Sequence, residues 1–140
     1  MRVVTMLPAE WDKYSQDAHA VCFGEVRPAG MNRIDFALTT IENDIPLSYM
    51  TCREVDSESI YMQYGGAFPS AKGSVKSFIS YTMMINHLST RYKRASTLIS
   101  NTNHAMLKFA MKVGLEIIGV RLFKGEIFVE HLIEFGGVNG

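Results

Sequence analysis

The 140-residue chain has no excess of either charge, because 14 lysines and arginines balance 14 aspartates and glutamates. Nucleic-acid-binding domains usually carry a strong positive charge, so the overall balance gives no support for a nucleic-acid partner. No apolar run approaches the roughly 20 residues that a membrane-spanning helix requires. Pro8 and Glu10 soon follow the first apolar stretch, which is unlike a secretion signal. We therefore expect a protein that binds neither nucleic acid nor membrane.

Cysteine is also scarce, since only Cys22 and Cys52 are present. Their spacing is not that of a metal site, so we expect two reduced thiols in or near the core of a cytoplasmic protein. None of the four histidines has a partner at a metal-binding spacing, and we predict no metal site. With 47% hydrophobic residues the chain has enough apolar surface for one packed domain. We predict a single domain over residues 1–140, with a frayed tail at residues 136–140.

Alternating and helical apolar patterns divide the chain into strands and helices. Pro8 suits the first turn of a helix, and Gly24 is a typical residue at a helix end. Residues 24–32 contain two glycines and a proline and are typical of a loop. We predict helices from Pro8 to Gly24, at about 74–92 and at about 103–113, and strands at residues 3–7, 34–41, 47–55, 60–68, 95–100, 116–123 and 127–135.

The connections between these elements predict the fold. Short polar turns join the second, third and fourth strands, which favours an antiparallel meander, with Pro46 at the start of its strand, outside the ladder. The long helix then supplies the crossover to a parallel fifth strand, and the last two strands form a hairpin. The order β-α-β-β-β-α-β-α-β-β predicts an α/β (α+β) fold with a mixed, mostly antiparallel sheet of six or seven strands and three flanking helices.

Two strand-to-helix corners are expected at one edge of this sheet, because they follow two adjacent parallel strands. The first corner spans residues 68–75, where small residues and Lys72 at a helix N-terminus suit a phosphate group. At the second corner, Asn103 fits a helix N-cap and Gly114 the end of that helix. Any strand-to-helix turn uses such residues, so an ordinary connection is the alternative interpretation at both corners.

The element order and the second corner resemble the GNAT superfamily of acyl-CoA-dependent N-acyltransferases. That family has a Gln/Arg-x-x-Gly-x-Gly/Ala turn after its fourth strand, and later an Asn, a helix and Gly-Phe. In Ser70-Ala71-Lys72-Gly73-Ser74-Val75 only Gly73 matches the first motif, whereas Asn103, Lys112 and Gly114 match the second. The second corner with the preceding helix also resembles small GNAT-like proteins of bacteriophages, some of which are virion components.

The resemblance implies a co-substrate and its site. In GNAT proteins acyl-CoA inserts where the fourth and fifth strands separate at a bulge; its pantetheine pairs with the fourth strand and the turn amides cap its pyrophosphate. Acetyl-CoA or another acyl-CoA is therefore the expected co-substrate, and Gly65-Gly66 is the expected bulge. The implied contacts are Ala67, Phe68 and Asn103 with pantetheine, and Ala71, Lys72, Gly73, Ser74 and Val75 with pyrophosphate.

Acyl transfer to an amine also needs a proton acceptor for the amine and a proton donor for the leaving thiolate. The catalytic candidates are Tyr61 and Gln63 of the fourth strand, Glu25 of the loop at residues 24–32, and Tyr81 of the long helix. The tyrosine that often protonates the thiolate in GNAT enzymes is replaced by Ala110 here, so the acid is Tyr81, a water or no group at all. We expect Tyr61 and Tyr64 on one face of the strand and Gln63 on the other; ordinary packing is the alternative role for both tyrosines.

Several functions remain open at this point. The first is an acetyl-CoA-dependent N-acetyltransferase that acts on a small-molecule or peptide amine. The second is a catalytically degenerate GNAT-like binding or structural protein, including one encoded by a phage. It is motivated by Ser70, Val75 and Ala110, which depart from the family at positions that do chemistry.

A third function, a nucleic-acid or partner-binding module, has only a cluster of basic residues in its favour, at Arg91, Lys93 and Arg94. No motif identifies the acceptor, and we expect its contacts in the loop at residues 24–32 and in the final hairpin. Edge strands of the sheet make a homodimer a further expectation.

Overall fold

A computed structural model describes residues 1–23 and 33–136, without the side chains of Gln16, Asp17, His19 and Phe23. The loop predicted at residues 24–32, which contains the candidate Glu25, and residues 137–140 of the predicted tail lie outside the described residues. The elements are β1 (Arg2–Met6), α1 (Pro8–Phe23), β2 (Phe36–Glu42), β3 (Ile45–Asp56), β4 (Ser59–Ala67), α2 (Val75–Leu88), β5 (Arg94–Ser100), α3 (His104–Lys112), β6 (Glu116–Phe123) and β7 (Glu126–Glu134).

The strands form one sheet in the order β1-β2-β3-β4-β5-β7-β6. Neighbouring strands are antiparallel except for β4 and β5, which are parallel. Helix α2 makes the crossover between these two strands, as a parallel connection requires. The predicted mixed α/β fold is therefore confirmed, including the meander of β2, β3 and β4 and the final hairpin.

The helices cover opposite faces of the sheet, which we call the α2 face and the α1 face. On the α2 face, the side chains of Met84, Ile85 and Leu88 pack on β2, β3, β4 and β5, and α3 joins the same core. On the α1 face, Trp11 packs against Tyr49, with their ring centroids 5.2 Å apart. Among the described residues the two cores lie on opposite sides of the sheet, so a cavity that joins the two faces has to cross the sheet.

Buried hydroxyl groups attach α2 to the sheet. Ser48 Oγ of β3 donates to Ser80 Oγ at 2.8 Å, and Ser80 Oγ in turn donates to the Ser77 carbonyl at 3.0 Å. Thr40 Oγ1 of β2 donates to the Ser80 carbonyl at 3.0 Å. Thr40, Ser48 and Ser80 are fully buried, so these bonds fix the helix, and with it the turn that precedes α2.

The structure corrects two local predictions. Helix α2 ends at Leu88 and not near residue 92, because Ser89 Oγ and Thr90 Oγ1 donate to the Asn86 and His87 carbonyls at 2.6 and 2.7 Å. Hydroxyl side chains of this kind compete with the helical pattern. Pro46 lies near the start of β3 as predicted, but it is in the ladder, opposite Ile41, where the register between β2 and β3 shifts. A register irregularity is one of the places where a sheet accepts proline.

The basic residues at 91–94 are engaged within the protein. Lys93 forms an ion pair with Glu58 at 2.5 Å and Arg94 with Glu134 at 3.5 Å. The Arg91 guanidinium lies over the Phe36 ring, 5.9 Å from its centroid.

In the described part of the chain, no helix is long and apolar enough to cross a membrane. Cys22 and Cys52 are buried free thiols, as predicted.

Candidate functional site

The parallel strands β4 and β5 separate soon after they begin. They pair at Ser59 with Arg94, Ile60 with Ala95 and Tyr61 with Ser96. Beyond that point, Thr97 Oγ1 donates to the Met62 carbonyl at 2.8 Å. From residue 64 to 67, β4 has no strand partner on this side among the described residues. The N–H and C=O groups of that edge need partners when they are buried, so the edge can accept a ligand that pairs as a strand does.

A cavity of about 730 Å³ occupies the gap between the strands. Its size lies within the roughly 300–1,000 Å³ of small-molecule sites. The cavity crosses the sheet, because residues of both faces line it. Its wall on the α2 face contains Tyr81, Ile85, Met106, Phe109, Ala110 and Leu115, and its wall on the α1 face contains Arg53, Tyr61, Tyr64, Arg121, Phe123 and Phe128.

A β-bulge at Gln63 shapes β4 at the cavity. Thr51 pairs with Tyr64 and Cys52 with Met62, which leaves Gln63 as the extra residue. The bulge was predicted at Gly65-Gly66 and is therefore two residues from the expected place. Tyr61 and Tyr64 share a face as predicted, although strict alternation would separate residues three apart; the bulge brings them together. Thr51 Oγ1 donates to Gln63 Oε1 at 3.3 Å, so the Gln63 side chain also lies on that face, contrary to the prediction.

Tyr81 reaches the cavity from α2. Its hydroxyl lies so close to Gly65 that a Cβ there would overlap it, and the same Cβ would approach the Tyr49 carbonyl to 3.1 Å. The ring packs edge-to-face on Phe109, with centroids 5.3 Å apart. Burial strongly raises the pKa of Tyr81, so its hydroxyl keeps its proton at neutral pH. The cavity wall therefore holds a proton donor at the place where β4 has no side chain.

The turn before α2 uses some of its amides internally. The Ala71 and Lys72 amides donate to the Phe68 carbonyl at 2.9 Å, and the Ser74 amide donates to the Ala71 carbonyl at 3.0 Å. The Gly73 and Val75 amides have no protein acceptor in the described part of the chain. Gly73 adopts a φ of +76°, a conformation that glycine adopts without strain. The turn thus presents two open amides at the N-terminus of α2.

Two predicted contact residues of this region have other packing partners. The Phe68 side chain lies in the core of the α1 face, 6.0 Å from Tyr49 between ring centroids, which leaves only its backbone for the predicted contact. Lys72 Nζ donates to the Cys22 carbonyl at 3.4 Å, in the last turn of α1, where the helix dipole favours a cation. Its predicted contact with pyrophosphate would require the ammonium to leave that carbonyl.

The N-terminus of α3 lies at the same cavity. Asn103 Oδ1 accepts a hydrogen bond from the Met106 amide at 3.2 Å, which confirms its prediction as N-cap, and Asn103 also lines the cavity. A second cavity of about 550 Å³ lies between the starts of α2 and α3 and is lined by Ser74, Val75, Lys108 and Lys112, among others. The two lysines are one helical turn apart, so both face this cavity from α3.

No protein-family model and no curated protein sequence matches this chain, but solved structures share its architecture. The ribosomal-protein-S18-alanine N-acetyltransferase from Escherichia coli superposes with a TM-score of 0.76 at 8% identity, over 96% of this chain and 93% of that one. Arabidopsis thaliana Naa50, in complex with the bisubstrate analogue CoA-Ac-MVNAL, gives 0.69 at 12%, over 96% and 99%. A GNAT family acetyltransferase from Elizabethkingia anophelis, with acetyl-CoA bound, gives 0.58 at 12%, over 71% and 75%.

The chain has the GNAT fold. At these identities the similarity establishes the fold alone, so the chemistry of the site depends on its own residues. Ala110, which the sequence resemblance aligns with the frequent GNAT tyrosine, is buried at the wall that also contains Tyr81. A GNAT cavity in this chain therefore has a tyrosine hydroxyl, but from α2 and not from α3.

Sequence reasoning missed part of the wall on the α1 face. Arg53 comes from β3, while Arg121 and Phe128 come from β6 and β7. No motif joins residues so far apart in the chain, and the register of the sheet brings them together. The expectation that the final hairpin borders the site is the one signal that could have identified Arg121 and Phe128.

Proposed function

We propose that the protein is an acyl-CoA-dependent N-acyltransferase that passes an acyl group, in the first place acetyl, directly to an amine of a small molecule or peptide. The observation that carries this proposal is the cavity that crosses the sheet beside the unpaired edge of β4. Acetyl-CoA is bound in one structure with this fold and a CoA bisubstrate analogue in another, which supports the same class of co-substrate here.

The residues present fit an acyl-CoA molecule. The edge of β4 at residues 64–67, which no strand covers among the described residues, offers backbone groups to a pantetheine arm. Gly65 and Gly66 place no side chains of their own at this edge. The open amides of Gly73 and Val75 at the start of α2 suit a pyrophosphate. Lys108 and Lys112 line the neighbouring cavity and would add positive charge for further phosphate groups.

The chemistry follows from where the polar side chains lie. Bound acyl-CoA would supply an acyl group activated as a thioester. In our proposal Tyr81 gives its proton to the sulfur as the carbon–sulfur bond breaks, because its protonated hydroxyl reaches the cavity beside Gly65. Gln63 and Tyr61, at the α1 face of the cavity, orient the amine or a water that accepts the amine proton. Glu25 remains a predicted base outside the described residues.

Isothermal titration of acetyl-CoA and CoA tests the proposal, with a thermal shift as the second readout. A ligand at about 100 times its dissociation constant stabilises the fold by about 2.7 kcal/mol. Gly73→Glu should abolish binding, because its carboxylate would repel the phosphates. Gly73→Ala is the matched control, since it introduces the same strain at positive φ without the charge, and it should retain most of the binding.

A binding or structural protein with a degenerate site is the second candidate. It is favoured by the departures at Ser70, Val75 and Ala110 and by the turn amides that bond internally. Absence of binding at millimolar CoA would leave the fold assignment unchanged and would favour this second candidate.

The cytoplasmic location and the homodimer also stay predictions. For the dimer, edge strand β6 exposes Val120, Leu122 and Phe123, and light scattering of the purified protein measures the oligomer directly.

A further inference from the structure

The α1-face end of the cavity is lined by cationic and aromatic side chains. Arg53 lies directly opposite Tyr61 in the ladder between β3 and β4. Arg121 pairs with Phe128 across the final hairpin, and Phe128 pairs in turn with Ser100 of β5. All of these residues line the cavity. We call Arg53, Tyr61, Arg121, Phe123 and Phe128 the acceptor mouth.

The charges around the acceptor mouth do not cancel. Arg121 Nη2 pairs with Glu130 Oε2 at 3.2 Å, whereas Arg53 has no carboxylate partner among the described residues. Burial raises the pKa of Tyr61, while Arg121 and Arg53 lower it and Glu130 raises it; these three charges therefore lie within electrostatic reach of the Tyr61 hydroxyl.

The rim adds one further charge of each sign. Glu126 Oε2 accepts from Ser100 Oγ at 2.5 Å, and Lys124 Nζ lies 5.4 Å from the centroid of the Phe123 ring. Three cations thus face two carboxylates. Among the described residues neither Arg53 nor Lys124 has an ion-pair partner, and of these two only Arg53 lines the cavity.

We propose that the acceptor is an amine that also carries a carboxylate, which the Arg53 guanidinium binds, while an apolar or aromatic body packs on Phe123 and Phe128. This inference rests on the proposed acyltransferase function. An arginine binds a carboxylate through paired, charge-assisted hydrogen bonds. The same positive field also disfavours the ammonium form of the amine, and the neutral amine is the nucleophile. Acceptors with several amines and no acid group are repelled.

The test compares acceptors that differ only in the acid group. L-Phenylalanine, L-phenylalaninamide and phenethylamine share a ring and an amine, and putrescine serves as the dication. Transfer from acetyl-CoA is followed by thiol release, at equal concentrations of neutral amine. We expect kcat/KM to be about tenfold or more higher for phenylalanine, because hydrogen bonds to charged groups are the strong class. Equal or higher values for the amide or for putrescine would overturn the proposal.

The Arg53→Gln variant distinguishes a role of Arg53 in binding the acceptor from a structural role of that side chain. It should raise KM for phenylalanine by about tenfold and change KM for phenethylamine much less, since phenethylamine has no acid group for Arg53 to bind and feels only the field of the guanidinium. Arg91→Gln is the control, because Arg91 lies on the Phe36 ring and not at the acceptor mouth, and it should change neither acceptor. A uniform loss for all acceptors in Arg53→Gln would show that Arg53 is structural and contradict the proposal.

A binding measurement keeps the two hypotheses apart. Titration with N-acetyl-L-phenylalanine and its amide reports the acceptor mouth without turnover. A preference for the acid that disappears in Arg53→Gln supports the proposal even if catalysis is slow. Acetyl-CoA binding and transfer to amines, without any preference for the acid, would overturn this inference and leave the proposed function standing. Absence of acetyl-CoA binding would overturn the proposed function, and with it the assignment of an acceptor.

Discussion

At the scale of single residues, the Tyr81 hydroxyl depends on the absence of a side chain at Gly65. A Cβ at residue 65 would overlap the Tyr81 hydroxyl oxygen. Tyr81 can therefore hold this position because residue 65 is a glycine. The ring packs on Phe109 of α3, and the next residue of α3, the small Ala110, lines the same cavity. The tyrosine hydroxyl at this wall of the cavity therefore comes from α2, while α3 contributes an alanine.

Tyr81→Phe tests whether this hydroxyl acts as the acid. We expect kcat to fall by about 10²-fold, the lower end of general acid catalysis, with acetyl-CoA affinity within about twofold of the parent, because only one oxygen is lost. An acyl thioester with a strongly acidic leaving thiol needs no proton, and the variant should transfer it almost as fast as the parent protein does.

Tyr92→Phe is the matched control for this experiment. Tyr92 donates to Glu54 Oε2 at 2.7 Å and does not line the cavity. Its loss should leave kcat unchanged with both donors. If Tyr81→Phe lowered the rate equally for the ordinary and the activated thioester, the hydroxyl would have a structural role and another group would be the acid.

At the scale of elements, the position of α2 decides where the turn amides and Tyr81 lie. The helix packs on the sheet through apolar side chains and through the buried hydroxyl groups of Thr40, Ser48 and Ser80. Such polar contacts have directions, whereas apolar packing tolerates small displacements of a helix. The Ser48–Ser80 bond therefore fixes the register of α2 on the sheet.

Ser80→Ala should destabilise the protein by about 1–3 kcal/mol, because the buried Ser48 hydroxyl loses its acceptor. The Ser48→Ala/Ser80→Ala double variant should lose less than Ser80→Ala alone, since no hydroxyl is then left without a partner. Urea unfolding at equilibrium measures both. Ser89→Ala, at the exposed end of α2, is the control. A double variant less stable than Ser80→Ala would contradict the argument.

At the scale of elements, some features of the fold and the site could be predicted from the sequence and others could not. The order and direction of the strands follow from alternation and short polar turns, which are local signals, and both predictions are confirmed. The bulge was assigned to Gly65-Gly66 because glycine often marks one; Gly65 instead makes room for Tyr81 from another element. Arg53 and Arg121 were missed for the same reason, since strand register and not sequence proximity places them at one mouth.

At the scale of the whole molecule, burial raises the pKa of several neutral acids at once. The pKa of Cys22 rises to about 11 and that of Tyr14 to about 12. Burial also raises the pKa of Cys52, Tyr49 and Tyr81. In the unfolded chain, thiols ionise near 9.0 and phenols near 10.0. Above those pH values the unfolded state binds fewer protons than the folded state does.

The contribution of these thiols and phenols to stability should therefore be constant up to about pH 9 and then fall as the pH rises. The loss that Cys22 causes should be complete near its folded pKa of about 11. Thermal unfolding across this range measures the slope. Cys22→Ser should flatten the first part of the decline, because a hydroxyl does not ionise there. An unchanged melting temperature up to about pH 10.5 would show that these groups titrate normally in the folded protein.

The unpaired edge of β4 has a consequence for how the molecule avoids self-association. An open strand edge is a template for a further strand, and proteins usually cover or charge such edges. Here the edge lies inside the sheet, between α2, α3 and β5, so a second polypeptide with side chains on both faces cannot reach it. A thin, unbranched chain can. The fold thus keeps the hydrogen-bonding capacity of an open edge, and the width of the gap decides which molecules use it.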